Sequence, residues 1–342
     1  MPVSVQDLEA VFDGLVGDIL GHFKQYNIPD SVCKQLKKCL YHNTLGGKYT
    51  RSMSVIDTCS ILLGGKLSSS QFQQAATLGW AIELLQASLL VNDDIMDGGK
   101  TRRGRTCWYL MPHVGMSAVN DACILESALY VLLKKHFGAH NNYVALVELF
   151  QETALQTQLG QACDTVVAPA TVGLDEFTME RFLFIATFKT AYYSFYIPVA
   201  AALLLCDVAT QRNLQMTKDV SIPLGEYYQV QNDYLDCYAD PTVLGKIGTD
   251  IQEGKCTWLI VQALGKCSPE QRKVLEENYG RDGHENEVKK VYEDLQLAKL
   301  YWEYDERRAR EIGDLIAGID ERSGLKKEIF GEFLSKVYKI GK

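Results

Sequence analysis

Apolar side chains recur at helical spacing along nearly the whole chain, and this pattern limits the fold more than any other feature. Leu8, Val11, Phe12 and Leu15 begin it, and it continues through residues 81–91, 123–133, 144–159 and 188–205. Alternating strand patterns are almost missing, and the 342 residues include only 8 prolines. The sequence therefore predicts an all-α fold.

Clusters of glycine, proline and asparagine interrupt the helical pattern at residues 46–48, 98–105, 139–142, 239–250 and 279–285. These clusters are typical of loops between helices. None has the length or low complexity of a flexible linker. We therefore expect a single domain over residues 1–342.

Charge and cysteine usage limit the partners and the compartment. The net charge of −8 and the lack of a long basic run argue against nucleic acid or an anionic membrane as partner. The longest apolar stretch, at residues 197–206, is short for a membrane span. The 10 cysteines are scattered singly, which favours free thiols in a reducing compartment. We expect a cytoplasmic protein that does not span a membrane.

The motif VNDDIMD follows a strongly apolar run and contains Asp93, Asp94 and Asp97. Asp93 and Asp97 are four residues apart, so a helix places them on one face, and Asp94 can join from the side. A hard divalent cation relieves the repulsion between such carboxylates, and Mg²⁺, for which Mn²⁺ can substitute, suits this pattern together with phosphate oxygens. The simpler interpretation is a solvated acidic helix end.

The glycine-rich turn GGKTRRGR comes directly after these acids and carries Arg102 and Arg103. Alone it would be a basic surface loop, but beside the acids it predicts a phosphate clamp. Three further segments offer cations or hydroxyls for the same purpose: Lys48 and Arg51, Lys189 and Thr190, and Lys246 and Lys255. GGK at residues 46–48 is not a nucleotide P-loop, because G-x-x-x-x-G-K-[S/T] is missing and no strand precedes it.

A second acidic motif, VQNDYLD, repeats the spacing of the first with Asn232, Asp233 and Asp236. Two such motifs facing one another across a helical bundle could hold several divalent ions around a diphosphate, while an apolar pocket stabilises the hydrocarbon that remains. Asp164, within GQACDTVV, is either a further metal ligand or a paired structural acid.

Several long segments, in order, resemble the farnesyl diphosphate synthases of the trans-isoprenyl diphosphate synthase family. They are LLVNDDIMDGGKTRRGRTCWY, GGKYTR, FKTAYYSFYIPVAAA and GEYYQVQNDYLDCYADPTVLGKIGTDIQEGKCTW. The resemblance covers nearly the whole chain. It implies the isoprenoid synthase fold, a bundle of about ten main helices around a deep central cavity, a homodimer, and about three Mg²⁺ ions.

The resemblance also implies roles for individual residues. Metal would be held by Asp93, Asp97, Asp164, Asn232 and Asp236, with Asp94 and Asp233 beside them. The allylic diphosphate would be held by Arg102, Lys189, Lys246 and Lys255. The diphosphate of isopentenyl diphosphate would be held by Lys48, Arg51, Gln86 and Arg103, and the reacting region would be steadied by Lys189, Thr190, Tyr228, Gln229 and Lys246.

The implied reaction starts with ionisation of dimethylallyl or geranyl diphosphate to an allylic cation. The double bond of isopentenyl diphosphate attacks the cation, and a proton is then lost to the released diphosphate. Such a reaction needs no side-chain nucleophile, and we find no convincing Ser/His or Cys/His pair in the sequence.

The chain departs from this family at several positions. Ser88 and Leu89 stand where family members that stop at fifteen carbons carry a bulky aromatic pair, so the pocket floor is open unless another helix fills it. Asn232 replaces an acid and brings no charge. These departures keep two alternatives open: a terpene synthase that ionises farnesyl diphosphate, and a weakly active regulatory subunit. The intact isopentenyl set favours chain elongation.

Overall fold

The computed structural model describes residues 4–166, 173–239 and 248–338. Within these ranges the regular structure consists of helices and one two-stranded ribbon, which confirms the predicted all-α fold.

The first half contains six α-helices and the ribbon. They are α1 Val5–Lys24, α2 Asp30–Thr44, α3 Thr50–Leu62, α4 Ser69–Met96, β1 Thr101–Arg102, β2 Arg105–Thr106, α5 Ala118–Phe137 and α6 Tyr143–Val166, with 3₁₀ turns at Trp108–Leu110 and Gly115–Ser117.

In the described part of the second half, a π-helix lies between two α-helices, and shorter helices follow. They are a 3₁₀ turn Leu174–Glu176, α7 Met179–Ile185, the π-helix Ala186–Tyr196, α8 Ile197–Leu205, α9 Gln211–Tyr238, α10 Asp250–Glu253, α11 Trp258–Leu264, α12 Pro269–Asn278, α13 Glu285–Asp294, α14 Leu297–Ala317, a 3₁₀ turn Glu321–Ser323 and α15 Lys327–Tyr338.

The chain divides into two compact units, and neither is a continuous stretch of sequence. Unit 1 comprises Met1–Ala154, Tyr193–Lys218 and Asp320–Ile329, and unit 2 comprises Leu155–Tyr192, Asp219–Ile319 and Phe330–Lys342. Four of the five boundaries fall inside α6, the π-helix, α9 and α15, and the fifth falls between Ile319 and Asp320. That the chain forms a single domain remains a prediction.

Helix α4 is the centre of unit 1. It begins at a capping box, in which the Ser68 hydroxyl accepts from the Gln71 amide and the Gln71 side chain accepts from the Ser68 amide. From residue 75 to 85 all of its side chains are buried, because α1, α2, α3, α5 and α8 pack around it. It ends at Gly98, which has φ +63°. The acidic end of α4 therefore extends from a tightly packed core.

The ribbon after α4 is a tight hairpin. Thr101 pairs with Thr106, and Arg102 pairs with Arg105. The two residues between the strands, Arg103 and Gly104, have φ of +53° and +71°, the combination that a type I′ turn requires. The chain therefore reverses within a few residues of the acidic motif.

Unit 2 has its own apolar core, formed by α7, α11, α13 and α14 with the neighbouring part of α9. Its largest buried side chains include Phe182, Tyr292 and Tyr301. The rings of Tyr234 and Tyr301 stack with centroids 3.8 Å apart and planes 6° apart. This aromatic contact packs the second acidic helix, α9, against α14.

Three helical stretches have the length and hydropathy of a membrane span: Ser69–Met96, Gly115–Phe137 and Met179–Leu205. The expectation that no stretch reaches such a length was wrong, because it considered only uninterrupted apolar runs. For the first and third, 78% and 72% of the apolar window is buried inside the protein. Core packing therefore accounts for the hydropathy of these two helices.

Candidate active site

The first acidic motif lies at the carboxyl end of α4. Asp93 and Asp97 are half-buried and one helical turn apart, as predicted, whereas Asp94 is buried. Arg102 explains the difference: its Nη2 donates to Asp93 Oδ2 at 3.0 Å and to Asp94 Oδ1 at 2.6 Å, and its Nε donates to Asp94 Oδ1 at 2.9 Å. Burial alone would lower the pKa of Arg102, but the hydrogen bonds and charges of Asp94 and Asp93 outweigh it and raise that pKa. The acids and the basic turn therefore lie together, and their role as a phosphate clamp stays a prediction.

Arg51 and Lys48, the two cations beside the glycine turn of residues 46–48, differ in exposure. Arg51 Nη1 donates to Gln86 Oε1 at 3.1 Å and Nη2 to Ser194 Oγ at 2.7 Å, and its guanidinium lies 4.4 Å above the ring of Tyr193. Lys48 is exposed. The structure thus brings two of the four residues predicted for isopentenyl diphosphate, Arg51 and Gln86, into direct contact.

Arg103 binds the carbonyl end of α2. Its Nη1 donates to the carbonyl oxygens of Asn43, Thr44 and Leu45, at 3.0, 3.2 and 3.4 Å. A cation at this end of a helix is favoured by the helix dipole. The guanidinium also covers Gly47, where an added Cβ would lie 3.2 Å from Arg103 Cζ. Arg103 therefore holds the glycine turn against α2.

Tyr49 fixes the other side of the same turn. Its hydroxyl donates to Glu9 Oε1 of α1 at 2.8 Å and accepts from the Gly46 amide at 2.7 Å. Burial raises the pKa of Tyr49 to about 12, so the hydroxyl keeps its proton at neutral pH. The turn that carries Lys48 and Arg51 is thus attached to the first helix.

Ser88 and Leu89, the predicted pocket floor, lie on α4 roughly 6–8 Å from Asp93 along the helix axis, at 1.5 Å per residue. Ser88 is only 1% exposed, and Leu89 is half-buried and packs on the core of unit 1. The small side chain at position 88 is therefore inside the protein.

In unit 2, Lys189 and Thr190 lie on the π-helix, which is held closely by two glycines. A Cβ at Gly160 of α6 would lie 2.2 Å from the backbone nitrogen of Lys189. A Cβ at Gly225 of α9 would lie 2.2 Å from Ala191 Cβ. Only glycine permits so close a backbone approach. π-Helical turns are rare in proteins as a whole, but those that occur often lie at functional sites.

Asp164 lies between two of the predicted lysines. Its Oδ2 accepts from Lys189 Nζ at 2.6 Å and from Lys255 Nζ at 3.2 Å. Burial would raise the pKa of Asp164, but the two lysines outweigh burial and lower it. The carboxylate is therefore ionised at neutral pH. Asp164 orders both cations, whichever of its two predicted roles applies.

A chain of hydrogen bonds links Thr190 to α11 through the second acidic motif. The Thr190 hydroxyl donates to Gln229 Oε1 at 2.8 Å, and Gln229 Nε2 donates to Asp233 Oδ1 at 2.9 Å. Asp233 Oδ2 accepts from the Trp258 amide at 2.7 Å. Burial raises the pKa of Asp233 to about 7, against the hydrogen bonds of Trp258 and Gln229. Both oxygens of Asp233 are thus occupied by protein groups.

Other residues predicted for the site lie near Asp233 on α9. Asn232 and Tyr228 are half-buried, and Asp236 Oδ2 accepts from the Asp250 amide at 3.0 Å. Gly248 approaches Asp236 closely, since an added Cβ would lie 2.0 Å from the Asp236 carbonyl oxygen. Lys246, predicted for the same site, lies outside the described residues.

The side chains predicted to hold metal suit Mg²⁺ by their chemistry. They offer carboxylate and amide oxygens without sulfur or imidazole, the donor set of a hard cation that keeps several waters. Among the described residues, however, no group of three His, Cys, Asp or Glu side chains is arranged to hold an ion by itself. In unit 1, Arg102 donates to both Asp93 and Asp94.

Sequence reasoning missed Glu83, a carboxylate in α4 that is 1% exposed. Ser52 Oγ donates to its Oε1 at 3.2 Å. Burial raises the pKa of Glu83, against the charges of Arg51 and Arg103 and the hydrogen bonds of Ser52, which lower it. In the sequence, Glu83 is the single acid inside the apolar run AIELLQASLL, a position that could have marked it as a buried carboxylate. Tyr193 and Ser194, the partners of Arg51, had no such signal.

The chain is similar to a known protein family and to solved structures. The family model described as polyprenyl synthetase matches residues 33–295. The farnesyl pyrophosphate synthase of Schizosaccharomyces pombe is 52% identical over 347 residues, spanning 99% of this chain and 100% of that protein. The Saccharomyces cerevisiae enzyme of the same name is 46% identical over 338 residues, with 97% and 96% covered. Farnesyl diphosphate synthase of T. brucei complexed with minodronate superposes with a TM-score of 0.92 at 31% identity, covering 100% of both chains. This likeness confirms the predicted isoprenoid synthase fold.

Proposed function

This chain belongs to the polyprenyl synthetase family, and we propose that it condenses dimethylallyl or geranyl diphosphate with isopentenyl diphosphate to form farnesyl diphosphate. The relatives named farnesyl pyrophosphate synthases match it over nearly their whole length, which supports chain elongation over a terpene synthase. The observation that carries the proposal is the ordered pair Arg51 and Gln86 with Arg103 beside the same glycine turn. An enzyme that used only one diphosphate substrate would have no use for that second cationic group.

Isopentenyl diphosphate binds to Lys48, Arg51, Gln86 and Arg103. Arg51 is held on three sides by Gln86, Ser194 and Tyr193, so its remaining N–H groups have a fixed direction. The guanidinium fork matches the geometry of phosphate oxygens. Lys48 is exposed and adds a mobile charge at the rim. This set positions the isopentenyl double bond for attack.

Asp93 and Asp97 of unit 1, and Asp164, Asn232 and Asp236 of unit 2, would hold Mg²⁺. The ion would supply positive charge to neutralise the allylic diphosphate as a leaving group. Asp94 and Asp233, predicted with them, form hydrogen bonds with Arg102 and Gln229. The further cations for the allylic diphosphate are Arg102, Lys189, Lys246 and Lys255.

Thr190 and Gln229 steady the cation that forms when the diphosphate leaves. Because the Thr190 hydroxyl donates its proton to Gln229, its lone pairs are the part of the group that remains to meet positive charge. Tyr228, one residue before Gln229 on α9, lines the same region. After the new carbon–carbon bond forms, the departed diphosphate accepts the proton lost from the chain.

The reaction is tested with the purified protein and Mg²⁺ in two incubations. Geranyl and isopentenyl diphosphates together should yield farnesyl diphosphate, and farnesyl diphosphate alone should yield no hydrocarbon or terpene alcohol, by mass spectrometry. Arg51→Gln should abolish consumption of isopentenyl diphosphate. Arg307→Gln, an exposed arginine paired with Glu311, is the matched control and should leave the rate unchanged.

Two other outcomes would point elsewhere. A terpene product from farnesyl diphosphate alone would identify a terpene synthase. Activity that appears only after another synthase is added would identify a regulatory subunit.

The synthase acts in the cytoplasm as a homodimer. Leu155 and Leu159 lie one turn apart on α6 and are 50% and 48% exposed. Neighbouring exposed apolar side chains are typical of protein interfaces. Leu155→Asp together with Leu159→Asp should yield a monomer by analytical ultracentrifugation, while the wild type sediments as a dimer. A monomeric wild type would contradict this.

A further inference from the structure

Glu83 is a buried carboxylate that the proposed condensation does not use. It lies on α4 one turn before Ala87 and three residues before Gln86, and it is 1% exposed. A substrate cannot reach it through its neighbours. Carboxylates are rarely buried so fully unless they are paired. Its function must therefore be expressed through the groups that it touches.

The first of these groups is Ser52, the third residue of α3. The Ser52 hydroxyl donates to Glu83 Oε1 at 3.2 Å and to the Gly79 carbonyl oxygen at 2.9 Å. The Ser52 amide, like its hydroxyl, lowers the pKa of Glu83. The backbones meet here, because a Cβ at Gly79 would lie 2.9 Å from Ser52 Cα. Glu83 is thus bound to the first turn of α3.

That first turn lacks a cap of its own. Tyr49, the N-cap residue, is in the left-handed region at φ 48° and makes no side-chain capping bond, and the turn contains no acidic residue. Amides at the start of a helix have no intrahelical partner and favour a negative charge. Glu83 supplies both the acceptor and the charge from the neighbouring helix.

The same carboxylate is the buried counter-charge of two cations. Arg51 belongs to the capped turn, and Arg103 holds the glycine turn that precedes it. The charges of Arg51 and Arg103 lower the pKa of Glu83. The charge of Glu83 in turn raises the pKa of Arg103, against the effect of burial. The two half-buried guanidinium groups would otherwise repel one another. One buried anion therefore serves both isopentenyl-binding arginines.

From these contacts we propose that Glu83 is the positioning residue of the isopentenyl site: it caps α3 and balances Arg51 and Arg103 so that both guanidiniums stand ready for a diphosphate. This inference rests on the proposed function, because it assigns those arginines to isopentenyl diphosphate. Glu83 does not touch the substrate. It acts by fixing the direction of the two groups that do.

Steady-state kinetics of Glu83→Gln test the proposal, with each substrate varied separately. We expect KM for isopentenyl diphosphate to rise about tenfold or more while KM for geranyl diphosphate changes less than about twofold. Calorimetric titration with isopentenyl diphosphate alone should show the same loss of affinity. Ser52→Ala removes the hydroxyl that donates to Glu83 and to the Gly79 carbonyl but keeps the charge of Glu83, and it should shift the same KM in the same direction by less.

Asp121→Asn is the matched control, because Asp121 is also a buried carboxylate of unit 1 and is bound by the Trp108 indole at 2.8 Å. A merely structural role for Glu83 would make both variants less stable without separating the two KM values. An unchanged or lower KM for isopentenyl diphosphate in Glu83→Gln would overturn the proposal, because lost repulsion toward the anion would then dominate.

Two safeguards keep the test decisive. If Glu83→Gln does not fold, by circular dichroism, the same separation of KM values is measured on Glu83→Asp, which keeps the charge but withdraws it from Ser52. An equal change in both KM values there would overturn the proposal. Wild-type protein that neither binds nor consumes isopentenyl diphosphate would contradict the proposed function itself, which distinguishes that failure from a failure at Glu83.

Discussion

Lys189 and Asp164 form a short ion pair, with Nζ and Oδ2 2.6 Å apart, and the same oxygen accepts from Lys255. Asp164→Asn would remove the buried carboxylate that the two poorly solvated ammonium groups share. We expect the free energy of unfolding to fall by about 3 kcal/mol and turnover to be largely lost. Urea unfolding and steady-state kinetics measure the two effects.

The surface pair of Arg181 with Glu176 provides the comparison for Asp164. Glu176→Gln should change the free energy of unfolding by less than about 1 kcal/mol, because the Glu176 side chain is 60% exposed. Equal effects of the two substitutions would mean that Asp164 is solvated in solution.

Gly160→Ala should distort the π-helix. The added methyl carbon would lie 2.2 Å from the backbone nitrogen of Lys189, and backbone atoms cannot move aside as the end of a flexible side chain can. We expect a loss of about 3 kcal/mol in the free energy of unfolding, with a marked fall in turnover. Gly17→Ala in α1, where nothing lies within 4 Å of the added Cβ, should instead stabilise by up to about 1 kcal/mol. A neutral Gly160→Ala would show that the π-helix adapts.

Ser88→Phe should shorten the product. Ser88 is 1% exposed and lies on α4 before Asp93, so a phenyl ring there would occupy space next to the growing chain. Mass spectrometry of the prenyl diphosphates should reveal a shift toward geranyl diphosphate. Leu90→Phe, about 200° further around the helix, serves as control. An unchanged product length in Ser88→Phe would show that another residue forms the floor.

Asn232→Asp should reduce the Mg²⁺ concentration needed for half-maximal turnover. An amide oxygen can bind Mg²⁺ but contributes no charge, so the carboxylate should bind the ion more tightly. The measurement is a Mg²⁺ titration of both proteins at saturating substrates. Asn278→Asp, whose amide bonds the Val274 carbonyl on α12, should leave the titration unchanged. A loss of turnover in Asn232→Asp would give the amide a role of its own.

The free energy of unfolding should depend on pH through the ionisation of Glu83. Burial raises its pKa in the folded protein above the unfolded value, against the opposing charges of Arg51 and Arg103. Between the two pKa values the folded state holds more protons than the unfolded state, so stability from this group falls as pH rises. The free energy of unfolding of wild type relative to Glu83→Gln should therefore be higher near about pH 5 than near about pH 7. Urea unfolding of both proteins measures it, and the opposite trend would mean a lowered pKa.

Local parts of the site could be predicted from sequence. Asp93, Asp94 and Arg102 lie within ten residues, so the tight turn at Arg103 and Gly104 brings acids and cation together. The partners of Asp164 are different, because Lys189 and Lys255 follow it by 25 and 91 residues. No local pattern pairs side chains at such separations. Only the packing of α6, the π-helix and the segment after α10 does so.

The roles of Asp94 and Asp233 depended on side-chain direction, which spacing alone does not fix. A D-D-x-x-D pattern permits all three acids to share a cation, but the helix turns Asp94 into the protein toward Arg102. Asp233 likewise turns toward the Trp258 amide. Glu83 was overlooked for a related reason: its partner Ser52 lies 31 residues earlier. In each case the decisive neighbour comes from another element.

The hydrogen bond from Tyr49 to Glu9 has a practical consequence for protein engineering. It attaches the turn with Lys48 and Arg51 to the first helix, which is far from every motif in the sequence. A chain shortened to begin at α2 would lose this anchor, although it would keep all of the proposed ligand-binding side chains. Expression tags and truncations should therefore leave α1 intact, and a fusion partner is better joined elsewhere.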